Sequence, residues 1–252
     1  MAKITVIGLG PGSILDMTPR ARTAIEQAEV VVGYTTYIKL IEELLADSGK
    51  QVIGTGMMQE IDRCRLAVEE AAAGKETVVV SSGDAGVYGM AGLVLELVLK
   101  RPEKDRPQWG GVVAGVSAVN AAASVLGAPL MHDFAVISLS NLLTPWELIR
   151  KRIQMAAEGD FVTALYNPKS KKRVENIEEV REIMLKFRSP DTPVGIVTAA
   201  SREKQTKVIS TLQDFTKEEI NMFSLVIIGN SQTYVQDGWM ITPRGYENKE
   251  NL

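Results

Sequence analysis

The 252-residue chain predicts an α/β protein of two unlike α/β domains, 1–120 and 121–252. Three observations carry this. The first half alternates short β-branched runs with helical patterns, which argues for a mostly parallel sheet covered by helices. After Gly127-Ala128-Pro129 the pattern changes: two β-rich runs, 193–198 and 206–212, are joined by "AASREKQ". That linker is too short for a crossover helix, so the second sheet is expected to be mixed. Finally, the segments after the strands are small, polar or glycine-bearing, among them "GLGPGS", "SSGDAGVYG", "AGVSA", "YNP", "TAAS" and "GNSQ". Short loops often need glycine, but together these loops suggest a long crevice lined by backbone and small side chains.

The first strand, 3–8, runs into Gly8, Gly10 and Gly12. A dinucleotide fingerprint needs G-x-G-x-x-G and an acidic ribose partner after the second strand. Ser13 stands where the third glycine belongs, and the second strand, 28–32, ends in "GYTTY". Thr18 followed by Pro19 reads as an N-cap with proline at the first helical position, opening a helix over 18–27. Strands near 51–53, 77–82 and 111–115 and helices near 35–47, 60–73, 88–100 and 117–126 complete the first half. Beyond it, strands are expected near 134–140, 161–166, 193–198, 206–212 and 224–229, with helices near 145–157, 171–187 and 216–221. Thr144-Pro145-Trp146-Glu147 reads as a capping box, and Thr216 with Glu219 repeats its spacing. The tail "NKENL" is expected to be disordered.

Composition is that of an ordinary globular protein, 45% hydrophobic and 23% charged. A net charge of -3 gives no electrostatic reason to propose a nucleic-acid partner. Met1-Ala2-Lys3 passes directly into a strand without a secretion-signal pattern, and no apolar stretch reaches about 18 residues. A cytoplasmic protein with no membrane segment is expected. Cys64 is the only cysteine, and Ile61, Cys64, Val68 and Ala71 fall near one helical face, so it reads as a buried apolar residue. His132 is the only histidine, which excludes a two-histidine metal site, and no metal-ligand set is visible. There is no nucleophile–histidine pair and no lysine in a phosphate loop. Methyl transfer from a sulfonium needs neither, because alignment in a dry pocket supplies most of the acceleration.

"VIGLGPG" at 6–12, "SSGDAGVYG" at 81–89, "AGVSAVNAAAS" at 114–124 and "VIIGNS" at 226–231 resemble the tetrapyrrole methylase family of S-adenosylmethionine-dependent enzymes, in the family's order and across nearly the whole chain. Within it, "VVGYTTYI" at 31–38, "LMHDFAVISLSNLLTPW" at 130–146 and "LYNPKSKKR" at 165–173 are similar to the precorrin-3 C-17 methyltransferases of cobalamin biosynthesis. The resemblance implies a homodimer of two-domain subunits with the methyl donor in a cleft between domains, S-adenosyl-L-homocysteine as product, and a large anionic tetrapyrrole as acceptor. Methylation at C-17 would accompany contraction of the macrocycle. The acceptor would be either precorrin-3B or a cobalt-bearing precorrin-3, any cobalt belonging to the substrate.

The same resemblance places Pro11 beside the cofactor, with Gly83, Asp84 and Val87 framing its amino-acid portion and sulfonium. It adds Ser117 and Ala118 at the start of a helix, Asn167 against the adenosine and Ala200 in a late loop. Asp84 also suits a turn and Ser117 an N-cap. "GYTTY" replaces the aspartate setting of uroporphyrinogen methyltransferases, which makes Tyr34 a substrate-pocket candidate, and Ala85 replaces the proline of many relatives. Proton handling falls to His132 and Asp133; packing of the link is the alternative for His132. Ser138, Ser140 and Asn141 are candidates for substrate carboxylates. So are Lys169, Lys171, Lys172 and Arg173, for which a solvated helix face is the competing explanation. Rival functions are methylation of a different ring carbon or of a non-tetrapyrrole acceptor, and a non-catalytic tetrapyrrole carrier. A nicotinamide-dependent reductase is disfavoured by the missing glycine and ribose carboxylate.

Overall fold

β-branched runs covered on both faces give the first half a fully parallel sheet. Its strands are β1 (Lys3–Gly8), β2 (Val30–Tyr34), β3 (Gln51–Thr55), β4 (Thr77–Ser81) and β5 (Gln108–Val113), in the order β3-β2-β4-β1-β5. The computed structural model describes residues 2–170 and 173–246; Lys171, Lys172 and the tail "NKENL" lie outside the described residues. The chain divides into two units, Met1–Ala118 and Val119–Leu252.

In the first unit, alternate residues of the central strands face opposite layers. Ile4, Val6, Val32 and Val79 pack against Cys64, Val68 and Val94 from α4 (Glu60–Ala72) and α5 (Ala91–Lys100). Ile7, Val31 and Val80 pack against Ala21 and Ile25 of α1 (Pro19–Gln27) and against Ile41. The predicted start of α1 is formed, with the Thr18 hydroxyl accepting from the Ala21 amide at 3.1 Å.

The expected helix over 35–47 is instead two short pieces, α2 (Thr35–Lys39) and α3 (Glu42–Leu45). Between them Ile41 leaves helical geometry, at φ -122° and ψ 18°, and its side chain is buried in the core. β5 begins earlier than expected, because pairing with β1 recruits Gln108 and Trp109, which lack a β-branched signal.

The second unit contains the mixed sheet, in the order β10-β9-β11-β8-β7, from β7 (Phe134–Ser138), β8 (Val162–Tyr166), β9 (Pro193–Thr198), β10 (Thr206–Thr211) and β11 (Ser224–Ile228). Only β7 and β8 pair in parallel; β9 and β10 form the antiparallel pair implied by their short linker. Ile149 and Ile153 of α7 (Trp146–Glu158) and Val180 and Met184 of α8 (Asn176–Met184) cover its core with Phe215. α6 (Ala118–Leu126) belongs to this unit from Val119 onward.

A small sheet of β12 (Tyr234–Gln236), β13 (Trp239–Ile241) and β6 (Gly127–Ala128) was not anticipated. Its hairpin signal was present, since Asp237-Gly238 sits at the turn with both residues at positive φ. Two expected capping boxes fail. α7 begins after Pro145 without a side-chain cap, and Glu147 pairs with Arg150 rather than closing a capping box. The helix over 216–221 is only a 3-10 turn, Phe215–Lys217, because Phe215 and Thr216 are drawn into the core and the chain is extended at Glu218. α8 starts at Asn176, well after 171, because Ser170 and Arg173 exchange backbone hydrogen bonds in a turn.

Among the described residues no helix is long and apolar enough to cross a membrane. Cys64 is fully buried beside Met90. Burial pushes its thiol up from 9.0 to about 11, against a lowering by Arg63 and with a further rise from Glu60. The unfolded thiol therefore ionises first, so the stability that this shift contributes is present below pH 9.0 and lost as pH rises toward about 11. In urea titrations the unfolding midpoint of a Cys64→Ala variant is expected to fall less across that window than the parent's. An equal fall in both would remove the assignment.

Candidate functional site

In the first unit, three strand ends are brought together by backbone. The amide of Gly10 donates to the carbonyl of Gly83 at 3.1 Å, and the amide of Gly83 returns a bond to Gly10 at 2.7 Å. A Cβ on Gly115 would stand 2.3 Å from the Gly83 carbonyl oxygen, and one on Gly8 would stand 2.7 Å from the Gly115 nitrogen. Both approaches are possible only for glycine. Asp84 completes the junction: its carboxylate accepts from the amide of Gly86 at 2.8 Å and from that of Gly115 at 3.0 Å. Asp84 thus fixes its own turn and also ties the loop after β4 to the loop after β5.

The remaining first-unit positions surround this junction. Pro11 is buried within the loop after β1, and Ser13 caps the following 3-10 turn by accepting from the Leu15 amide at 3.1 Å. Val87 and Tyr88 stand exposed at the tip of the β4 loop. Tyr88 has φ 53°, a left-handed conformation that is costly for a bulky residue and belongs typically to functional loops. Ser117 and Ala118 are half-buried at the entry to α6. Tyr34, at the end of β2, meets Tyr37 edge-on with ring centroids 5.2 Å apart. Its ring also lies 5.7 Å from the guanidinium carbon of Arg63.

In the second unit, side chains hold the strand ends. Ser138 Oγ accepts from Asn167 Nδ2 at 3.0 Å and from the Ser140 amide at 3.2 Å, so these three predicted residues form one group. Asn167 is left-handed, at φ 51°, and its carbonyl accepts from Arg173 Nη2 at 2.7 Å. Burial pulls the Arg173 pKa down, and among the described residues its buried Nε has no hydrogen-bond partner. Tyr166 Oη accepts from the Val119 amide in the first turn of α6 at 3.0 Å. Ala200 lies between left-handed Ala199 and Ser201 after β9.

Asn141 is exposed and stands outside the Ser138 group's hydrogen bonds. His132 and Asp133 are also exposed, and His132 Nδ1 accepts from the Asp133 amide at 2.9 Å, leaving Nε2 to carry the proton of a neutral ring. His132 makes no hydrogen bond to Ser138, Ser140 or Asn167, so the proton-handling candidates and this group are not joined. Lys169 is not part of the Ser138 group either. Among the described residues no group of three or more His, Cys, Asp or Glu converges.

The sequence reading missed the junction roles of Gly8 and Gly115, the Tyr166 contact and Arg63. Arg63 had a signal: it shares a four-residue spacing with Ala67 and Ala71 on the buried stripe of α4.

Asp84→Asn replaces one acceptor oxygen by a donor facing an amide, and is expected to cost about 1–3 kcal/mol in denaturant titrations. Gly115→Ala must push the Gly83 carbonyl away and is expected to cost about as much. An unchanged midpoint for either variant would contradict the junction's importance.

The match to the family model "Tetrapyrrole (Corrin/Porphyrin) Methylases" covers residues 3–216. A "Cobalt-factor III methyltransferase" of Priestia megaterium is 51% identical over 251 residues, covering 99% of this chain but only 46% of the relative. A "Probable cobalt-factor III C(17)-methyltransferase" of Salmonella typhimurium is 52% identical over 243 residues, covering 96% of this chain and 99% of the relative. The crystal structure of the methyltransferase CobJ is similar with a TM-score of 0.90 at 37% identity, covering 96% of this chain and all of that one. The strand-end loops that the glycines and Asp84 tie together are therefore those of a methylase fold, and the chain belongs to the tetrapyrrole methylase family.

Proposed function

We propose that this chain is an S-adenosylmethionine-dependent C-methyltransferase of cobalamin biosynthesis. Its acceptor is C-17 of a cobalt-bearing precorrin-3-type tetrapyrrole, and the transfer accompanies ring contraction. The observation that carries this reading is 52% identity across 99% of a relative named for that reaction. The cobalt-bearing acceptor is favoured over precorrin-3B because two relatives above 50% identity are named for cobalt-factor III.

The residues present fit such a donor. The junction keeps three strand-end loops small, and Val87 is accessible at the loop tip. Pro11, Gly83, Asp84, Val87, Ser117, Ala118, Asn167 and Ala200 are the residues assigned to the donor. When bound, the donor supplies a sulfonium-activated methyl group and leaves as S-adenosyl-L-homocysteine.

The chain's own work is alignment and proton handling. Asp84 acts chiefly through the loops it ties, since its oxygens are engaged by the Gly86 and Gly115 amides. Ser138 and Ser140 orient acceptor carboxylates, with Asn141 beside them in sequence, and Tyr34 lines the acceptor side. His132, seconded by Asp133, takes up the proton released from the acceptor. In the neutral ring Nε2 carries the proton, so uptake falls to Nδ1, which must release the Asp133 amide. The protein works in the cytoplasm as a homodimer, for which light scattering should give twice 27.5 kDa.

Incubation with S-adenosylmethionine and either cobalt-factor III or precorrin-3B, followed by mass and absorption spectra, is expected to show one added methyl group, preferentially on the cobalt-bearing acceptor. Methylation of neither would end the proposal. His132→Ala is expected to slow turnover by about 10²-fold or more while leaving donor affinity within about twofold. Full activity in that variant would remove His132 from the reaction.

A further inference from the structure

Among the described residues, two charged side chains are buried, Arg63 at 3% exposure and Arg188 at 7%. They are treated differently. Arg188 is neutralised by Asp160 and donates to the carbonyls of Ala157 and Phe161 near the end of α7, at 3.1 and 3.0 Å. Arg63 has no carboxylate within ion-pair distance among the described residues, although Glu60 and Asp62 share its turn of α4.

Its partners are all neutral. Nε donates to Thr55 Oγ1 at 2.7 Å and Nη2 to the carbonyl of Gly56 at 2.8 Å, while Nη1 reaches Met90 Sδ at 3.9 Å. The Tyr34 ring supplies a cation–π face at 5.7 Å. These contacts engage three of five N–H donors and offset part of the desolvation, but leave the charge uncompensated. The partners come from the carboxyl ends of β2 and β3 and from the loop after β4, the side of a parallel sheet where ligands gather. A buried cation held there without a counter-ion raises the potential over Tyr34 more than a solvated lysine would.

We propose that Arg63 is a positioning residue for the acceptor's acid groups: it holds Tyr34 and the β3 loop in place, and its uncompensated charge draws a substrate carboxylate toward Tyr34. This rests on the acceptor being a tetrapyrrole polycarboxylate.

The test compares the parent with Arg63→Met and Arg63→Lys, each loaded with S-adenosyl-L-homocysteine. Cobalt-factor III binding is followed by absorption over a range of salt, and donor affinity by calorimetry. Arg63→Met is expected to weaken tetrapyrrole binding about tenfold at low salt and flatten its salt dependence, with donor affinity within about twofold. Arg63→Lys keeps the charge and loses the fork to Thr55 and Gly56, so it is expected to retain the salt dependence while kcat, measured separately with S-adenosylmethionine, falls. If Arg63→Met does not fold, Arg63→Lys carries the test alone, and loss of its salt dependence overturns the proposal. Equal weakening of both ligands by Arg63→Met, or an unchanged tetrapyrrole affinity, also overturns it. A parent protein that binds no tetrapyrrole would instead refute the functional reading beneath it.

Discussion

Close approach of backbone to backbone at Gly8, Gly83 and Gly115 is the constraint from which the first unit's ligand side is built. A parallel sheet ends with its strands 4.7–4.9 Å apart in general, and loops leaving neighbouring strands ordinarily diverge as their side chains demand room. Here side chains are absent at the points of crossing, so the loops after β1, β4 and β5 turn against one another. The reciprocal bonds between Gly10 and Gly83 satisfy amides and carbonyls that would otherwise need water. Asp84 then satisfies two more amides with one carboxylate. The outcome is a floor of small residues held by hydrogen bonds, suited to a ligand recognised along its length.

The second unit reaches a comparable end by other means. Its sheet is mixed, so fewer strands deliver their carboxyl ends to one edge, and side chains do the joining. Ser138 gathers Ser140 and Asn167, while Tyr166 accepts the Val119 amide. Left-handed backbone recurs at Tyr88 after β4, Asn167 after β8, and Ala199 and Ser201 after β9. Each is a non-glycine residue in a conformation that costs free energy, and each lies just beyond a strand's carboxyl end. Strain at Tyr88 in particular, a bulky residue, fits a segment shaped for a ligand more than for the chain's own stability.

The two buried arginines separate structure from function by the same reasoning. Arg188 has an aspartate and helix-end carbonyls, so its charge is compensated within the fold. Arg63 has hydroxyl, carbonyl, sulfur and aromatic partners, which stabilise a guanidinium without cancelling its charge.

Much of the fold was legible in the residues. Alternation and β-branching marked the strands, Thr18-Pro19 started a helix, and the seven-residue linker between β9 and β10 implied an antiparallel pair. These features act through contacts between residues a few positions apart, and local pattern reports them faithfully. The capping box read at Thr144 and the T-x-x-E at Thr216 misled, because burial of Phe215 and the Glu147–Arg150 pair outweighed capping preferences, although the helix after Pro145 begins where expected. The sequence by itself determined the α/β class, the change of sheet type and which loops would be small. Only the tertiary structure decided that Gly83 touches Gly115, that Asp84 spans 31 positions to reach it, and that Arg63 lies under Tyr34. Those pairings depend on which strands become neighbours, and strand order is set by packing of the whole sheet rather than by any local segment.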